Sequence, residues 1–172
     1  MTDSRGPLKP STPPRVALSV TCLADAIRPS VGFATLKLLQ DAGCQVEVPA
    51  QQTCCGQPAF NSGDTRDAAK LARRFIEIFE PYDYVVAPSG SCVGMTRAHY
   101  PEALADDAAW AERARRLGGR TFELMSFLAD VMHFKPSGVT LATTATYHDS
   151  CSGLRELGVY EQPRALLGNV GG

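Results

Sequence analysis

The stretch Gln45-Val46-Glu47-Val48-Pro49-Ala50-Gln51-Gln52-Thr53-Cys54-Cys55-Gly56-Gln57-Pro58 runs a short apolar segment into two adjacent cysteines. Gln45 to Val48 reads as a strand closed by Pro49, and 50–63 as a loop. The side chains at 54 and 55 point in different directions, and a disulfide between adjacent residues would distort the peptide that joins them. The pair is better suited to holding two atoms of one polynuclear metal site. Gly56 lets the backbone come close and leaves an N–H for the sulfur.

The same order, a strand and then a cysteine, recurs on either side. Arg15 to Thr21 is an apolar, β-branched run that stops at Cys22. Tyr84 to Pro88 is a third strand, and its loop Ser89-Gly90-Ser91-Cys92-Val93-Gly94 leads into a helix. Between these strands lie helical patterns. Pro29 and Ser30 open a helix whose residues Phe33, Ala34, Leu36, Leu38, Leu39 and Ala42 predict a broad apolar face, with Gly43 ending it. Ser62 or Asp64 caps the next helix. There Ala68, Ala72, Phe75, Ile76 and Phe79 recur at helical spacing, Arg66, Lys70, Arg73, Arg74 and Glu77 take the other face, and Pro81 stops it.

Further along, 101–117 reads as a charged helix with Glu112 and Arg116 paired at i,i+4, broken by Gly118-Gly119. The spacing predicts another amphipathic helix over 121–132. Pro136-Ser137-Gly138 is a turn, 139–147 is a β-rich run ending at His148-Asp149-Ser150-Cys151, and 153–167 is helical with a break at Gly158. The Pro-rich segment 1–14 has no periodicity and reads as a disordered or extended tail.

Alternating strands and helices imply an α/β fold, a Rossmann-like three-layer unit with a parallel sheet. In such sheets the strand-to-helix loops share the carboxyl edge, where ligands bind. Cys22, the Cys54–Cys55 pair and Cys92 are therefore expected at one edge, and Cys151 at the same edge or a neighbouring one.

The bulk properties narrow the function. The chain has 172 residues, is 44% hydrophobic and 20% charged, and carries a formal net charge of −1 with six cysteines. Nothing in this balance points to nucleic acid as a partner. No apolar run is long enough to cross a membrane, and the N-terminus has no secretory h-region, so the chain reads as cytoplasmic. Cysteine usage in that compartment favours metal or redox chemistry over a disulfide framework.

Thirty-one residues separate Cys22 from Cys54, and 36 separate Cys55 from Cys92. A cysteine, a long spacer, Cys-Cys-Gly, a long spacer and a closing cysteine resemble the cysteine-rich CCG domain. That domain usually occurs as two copies in heterodisulfide reductases, glycolate oxidase iron–sulfur subunits and the lactate-utilisation protein A family. Ser19-Val20-Thr21-Cys22-Leu23-Ala24-Asp25, Cys54-Cys55-Gly56-Gln57-Pro58-Ala59-Phe60-Asn61-Ser62-Gly63, Pro88-Ser89-Gly90-Ser91-Cys92, Tyr147-His148-Asp149-Ser150-Cys151 and Glu161-Gln162-Pro163-Arg164-Ala165-Leu166-Leu167 resemble the lactate-utilisation family most.

The resemblance implies an iron–sulfur electron-transfer subunit of an L-lactate-oxidising complex that forms pyruvate, not catalytic alone, with other iron–sulfur subunits as partners. It implies a cluster, 4Fe–4S in type, on Cys22, Cys54, Cys55 and Cys92. It makes 15–138 the first CCG domain and 139–172 the beginning of a truncated second one, to which Cys151 would contribute a ligand. The 172 residues then read as a piece of a longer chain. The fuller motif closes on Cys-x-x-Cys, and Ser89 stands where its first cysteine would be. Thiolate sulfur suits iron, and adjacent cysteines can bind different irons of one cluster.

Other readings stay open beside this one. The cysteines suit a zinc site in residue type, although the paired short spacings of structural zinc are absent. They also suit a metal-free thiol–disulfide module. Gly90-Ser91-Cys92-Val93-Gly94 matches a nucleophile elbow, with His148 and Asp149 as relay, but that hydrolase leaves Cys22, Cys54 and Cys55 unexplained. Cys44 reads as a small buried residue, Cys151 as either a ligand or an idle thiol, and His148 as either a packed loop residue or a proton carrier. His99 and His133 read as helix-surface residues, and Trp110 as packing. No flavin or nicotinamide fingerprint is present.

Overall fold

The computed structural model describes residues 12–172, so most of the expected N-terminal tail lies outside the described residues. Four strands form one all-parallel sheet: β1 Arg15–Leu18, β2 Gln45–Glu47, β3 Tyr84–Ala87 and β4 Thr121–Glu123. Their spatial order is β2-β1-β3-β4, so the winding reverses between β1 and β3. Doubly wound sheets open a crevice for ligands at that reversal.

The core follows from strand periodicity. Successive strand residues face opposite sides. Ala17 and Val85 pack with helix α4, Thr65–Phe79, through Ala72, Phe75, Ile76 and Phe79, and with Leu117 of helix α7, Ala108–Gly118. Val16 and Val86 pack on the other face with Leu39 of helix α2, Pro29–Asp41, and with Phe127 and Leu166. These strand residues are wholly buried, so helices cover both faces and the unit has three layers. The Rossmann-like expectation holds.

The α4 face is the one its spacing predicts: Ala68, Ala72, Phe75, Ile76 and Phe79 are all buried. Of the two candidate caps, Asp64 is the one used, accepting a hydrogen bond from the Asp67 N–H at 3.0 Å. On α2 the apolar face is narrower than expected. Gly32, Thr35 and Leu39 meet the interior, while Phe33 is 72% exposed. Thr35 can be buried because its hydroxyl donates to the Val31 carbonyl at 2.8 Å.

Several expectations are corrected. Cys22 does not lie in a loop; it starts a short helix, α1, Cys22–Ile27. The Cys-Cys-Gly loop also contains a short helix, α3, Gln57–Asn61. Cys92 lies inside helix α5, Gly90–Gly94, which continues through a π-helical turn, Met95–His99, into α6, Tyr100–Ala103. The expected helix over 101–117 is split, because Asp107 caps α7 and accepts from the Trp110 N–H at 3.3 Å. Glu112 pairs with Arg115, not with Arg116.

The start of the expected helix over 121–132 is instead strand β4, in register with Val85 to Ala87. Three residues are too few to display an alternating pattern, and Glu123 then caps the next turn, α8, Leu124–Ser126. A π-helical turn, Phe127–Val131, follows. The β-rich run over 139–147 forms no named strand. It has one parallel bridge, Thr140 to Gly171, and Val139 and Leu141 are about half exposed. A β-prone segment without a neighbouring strand has no ladder to join. Cys151 therefore does not follow a strand. It starts helix α9, Cys151–Arg155, which packs on α5, and α10, Glu161–Leu167, packs on α8.

This packing separates two phenylalanines. Phe79→Ala should cost about 3–5 kcal/mol of unfolding free energy, whereas Phe33→Ser should stay within about 0.5 kcal/mol. Urea unfolding followed by circular dichroism measures both.

Candidate functional site

The carboxyl ends of β1, β2 and β3 bring four cysteines together. After β1, Ser19 still donates its N–H to the Val86 carbonyl at 2.9 Å. Thr21 then turns the chain with φ 61°, a conformation few non-glycine residues adopt, and Cys22 follows at the start of α1. After β2, Gln52 reaches across to this turn. Its side-chain oxygen accepts the Val20 N–H at 2.9 Å, and its amide donates to the Leu18 carbonyl at 3.4 Å. The Cys-Cys-Gly loop is thereby tied to the end of β1, and Cys22 Sγ and Cys54 Sγ approach to 3.8 Å.

Cys55 turns inward and is buried. Gly56 makes this possible with φ +84°, and a Cβ there would stand 3.2 Å from Leu71 Cβ on α4. A side chain would therefore be strained and crowded at once. The Cys55 carbonyl accepts the Tyr100 hydroxyl at 2.8 Å. Tyr100 is fully buried and belongs to the same helical run that carries Cys92, so one hydrogen bond fastens the two cysteine-bearing segments to each other. Thr96 in that run donates to the Cys92 carbonyl at 3.0 Å.

The thiol electrostatics reflect this crowding. The Cys55 thiol donates to Cys92, and with the hydroxyls of Ser89 and Ser91 it holds Cys92 down to about 6, against the opposing effect of burial. Cys55 is correspondingly pushed up, by that shared proton first and by burial second. Cys22 is raised by burial and then by its bond to Cys54, and the charge of Cys92 also reaches it. The four sulfurs thus form two pairs, 22 with 54 and 55 with 92, close enough to feel one another. All four are free thiols. Among the described residues, no three His, Cys, Asp or Glu side chains are grouped as a site for one metal ion. Thiols grouped as two neighbouring pairs, with no three around one point, suit a polynuclear centre, whose metal atoms spread the ligands, better than one tetrahedral ion.

The remaining candidates separate. Cys44 is buried in the α2 face of the core, and burial pushes it to about 11. Cys151 is exposed, and among the described residues no sulfur–sulfur contact joins it to the other four. It lines a cleft of about 470 Å³ with Ser89, Gly90 and Ser91. Asp149 is held by a bidentate pair to Arg164 at 2.7 and 2.9 Å, which lowers its carboxyl below the usual range and commits it away from a relay with His148. His99 is less of a surface residue than expected: its ring stacks on Phe60 at 4.9 Å and stands 3.9 Å from Glu156. Trp110 packs under Arg113 at 3.8 Å, as a packing residue should.

Sequence reasoning did not single out Gln52 and Tyr100. The only signal for Gln52 was its place two residues before the cysteine pair. Tyr100 stands eight residues after Cys92 in an uninterrupted helical run, a relation that matters only once the run is known to pass the Cys-Cys-Gly loop.

The cysteine-rich domain named CCG matches residues 16–97. Lactate utilization protein A of Bacillus licheniformis is 48% identical over 158 residues, covering 92% of this chain and 66% of that protein. The same protein of an Exiguobacterium species is 50% identical over 161 residues, covering 92% of this chain and 65% of its own length. That of Bacillus subtilis is 48% identical over 158 residues, with 92% and 66% covered. The chain spans just under two thirds of the length of these relatives.

The Tyr100 clamp is testable without any cofactor. Tyr100→Phe leaves the buried Cys55 carbonyl without its donor, and the cost should be about 1–3 kcal/mol in chemical unfolding of the reduced protein.

Proposed function

We propose a function from one premise: the chain belongs to the lactate utilization protein A family and carries its cysteine-rich domain. In our reading it is an iron–sulfur electron-transfer subunit of a system that oxidises L-lactate to pyruvate. One observation carries this reading: four free thiols, delivered by three different strand ends beside the reversal point of the sheet, lie near enough to perturb one another's protonation, with Cys22 and Cys54 at 3.8 Å.

Cys22, Cys54, Cys55 and Cys92 would hold the cluster, 4Fe–4S in our reading. When bound, such a cluster supplies one-electron acceptance and donation at a potential set by its protein surroundings. The chain's own residues account for the rest. Ser89 and Ser91 present hydroxyls to the Cys92 sulfur and so stabilise negative charge there. In this reading Ser89, standing where the fuller motif has a cysteine, is a hydrogen-bond donor to sulfur. Tyr100 and Gln52 hold the loops at their spacing, so the thiols need little rearrangement on binding.

Residues 139–172 are read as the opening of a second, similar unit. The parallel bridge between Thr140 and Gly171 and the greater length of the relatives support this. Cys151 would then serve that unit. Other iron–sulfur subunits are the proposed partners. Among the described residues no helix is long and apolar enough to cross a membrane, which suits the proposed cytoplasmic setting.

Anaerobic reconstitution with iron and sulfide tests the cluster. The wild type should retain both in stoichiometric amount, with a charge-transfer absorption that dithionite bleaches. The Cys54→Ser/Cys55→Ser double variant should retain neither. Iron at background in both would overturn the cluster reading, stoichiometric zinc would replace it with a structural site, and reversible Cys22–Cys54 oxidation alone would replace it with a thiol–disulfide module.

A further inference from the structure

The more exposed of the two thiol pairs, Cys22 and Cys54, lies between two surfaces of different chemistry. On one side is α1. Leu23 and Ile27 stand one turn apart on it, directly after Cys22, and each is 70% exposed. Val48, nearly half exposed, lines a cleft of about 330 Å³ together with Cys22 and Cys54. Large apolar side chains gathered at one edge and left in water mark a contact surface. Leu23 and Ile27 project from a helix and do not close around a cavity, so they suit a protein partner better than a small molecule.

On the other side is the outward stripe of α4. Lys70, Arg73 and Arg74 line a second cleft, of about 500 Å³, and Arg66 continues the stripe one turn earlier. Of these four, Arg73 alone reaches a carboxylate among the described residues, Asp107 at 4.0 Å. Asp67 and Glu77 are the only acids on the helix, so four cations meet two carboxylates in a chain whose formal net charge is −1. Thr53, the residue before Cys54, lines both clefts, so the apolar and basic halves join at the thiol edge. Helix α4 also packs directly on the Cys-Cys-Gly loop, since a Cβ on Gly56 would stand 3.2 Å from Leu71 Cβ.

We propose that the two halves form one docking surface for an acidic redox protein, which seats apolar side chains on Leu23, Ile27 and Val48 and carboxylates on Lys70, Arg73 and Arg74. That the partner is a redox protein rests on the electron-transfer reading; its acidity and its apolar contact rest on the surface itself. An apolar contact with a charged margin is the usual anatomy of a protein interface. Opposite charge speeds the encounter without making the complex long-lived. A partner seated on both halves brings its own redox group over the Cys22–Cys54 edge. An anionic membrane is the poorer fit. Interfacial helices carry Lys and Arg beside their apolar residues, whereas the one charge on α1 is Asp25 and the cations lie across the thiol edge.

The experiment is a titration of the reduced, metal-free full chain with a small acidic 2Fe–2S ferredoxin as probe, followed by amide shifts in 15N–1H spectra. The shifts should be saturable and concentrated in 22–27, 48–54 and 66–77. Raising salt from about 10 mM to about 150 mM shortens the Debye length from about 30 Å to about 8 Å, and it should weaken binding about tenfold. Lys70→Glu/Arg74→Glu should weaken binding about tenfold at low salt and flatten that salt dependence. Leu23→Ser/Ile27→Ser, at exposed positions that leave the fold intact, should weaken it about as much and leave the salt dependence unchanged. Arg155→Glu, on α9, should change affinity by less than about twofold. No saturable shift at millimolar ferredoxin, shifts confined elsewhere, or equal effects of the α4 and α9 reversals would overturn the proposal. So would binding to phosphatidylglycerol vesicles that the α4 variant abolishes, or self-association that the α1 variant abolishes, since each puts a different occupant on this face. Because no iron is present in the chain, this outcome is independent of the cluster test, and either reading can fail alone.

Discussion

The parallel pairing of β2, β1 and β3 is the constraint on which the rest depends. Val16 faces Val46 on one side and Tyr84 on the other, and that register sets all three strands ending at one edge. Cys22, Cys54 and Cys92 are far apart in the chain, and nothing local draws them together. The sheet does so because each strand has to be followed by a crossover that starts at the same edge. The order β2-β1-β3-β4 also sends the chain to opposite sides after β1 and β3, which leaves the edge open where those loops diverge.

An open edge is not yet a site. Three side chains order it. Gln52 ties the Cys-Cys-Gly loop to the end of β1, Tyr100 ties it to the helix that carries Cys92, and Thr96 fixes that helix around the Cys92 carbonyl. Each comes from a side chain whose role is to position another residue. The free thiols are perturbed in opposite directions, Cys55 upward and Cys92 downward, first of all by each other.

Much of this was legible in the residues. The strand-then-cysteine repeat gives the edge, and the α4 apolar stripe gives one whole face of the core, because both follow periodicities the backbone enforces. The failures have equally physical causes. Thr121-Phe122-Glu123 is a strand only because Val85 to Ala87 offers it a ladder, and three residues carry no period of their own. The run over 139–147 has the composition of a strand but no neighbour beyond a single bridge. Phe33 fits the helical pattern of α2 but lies outside the narrow stripe that Gly32, Thr35 and Leu39 present to the sheet. Gln52 and Tyr100 act at distances of tens of residues along the chain, and no spacing rule marks such relations.

The central claim is that four cysteines from three strand ends share one polynuclear centre. X-ray absorption at the iron edge of the anaerobically loaded protein tests it most directly. The account predicts a first shell of sulfur alone and a strong iron–iron shell beyond it, both lost together in Cys92→Ala. A single iron with a nitrogen or oxygen first shell and no iron–iron scattering would contradict it.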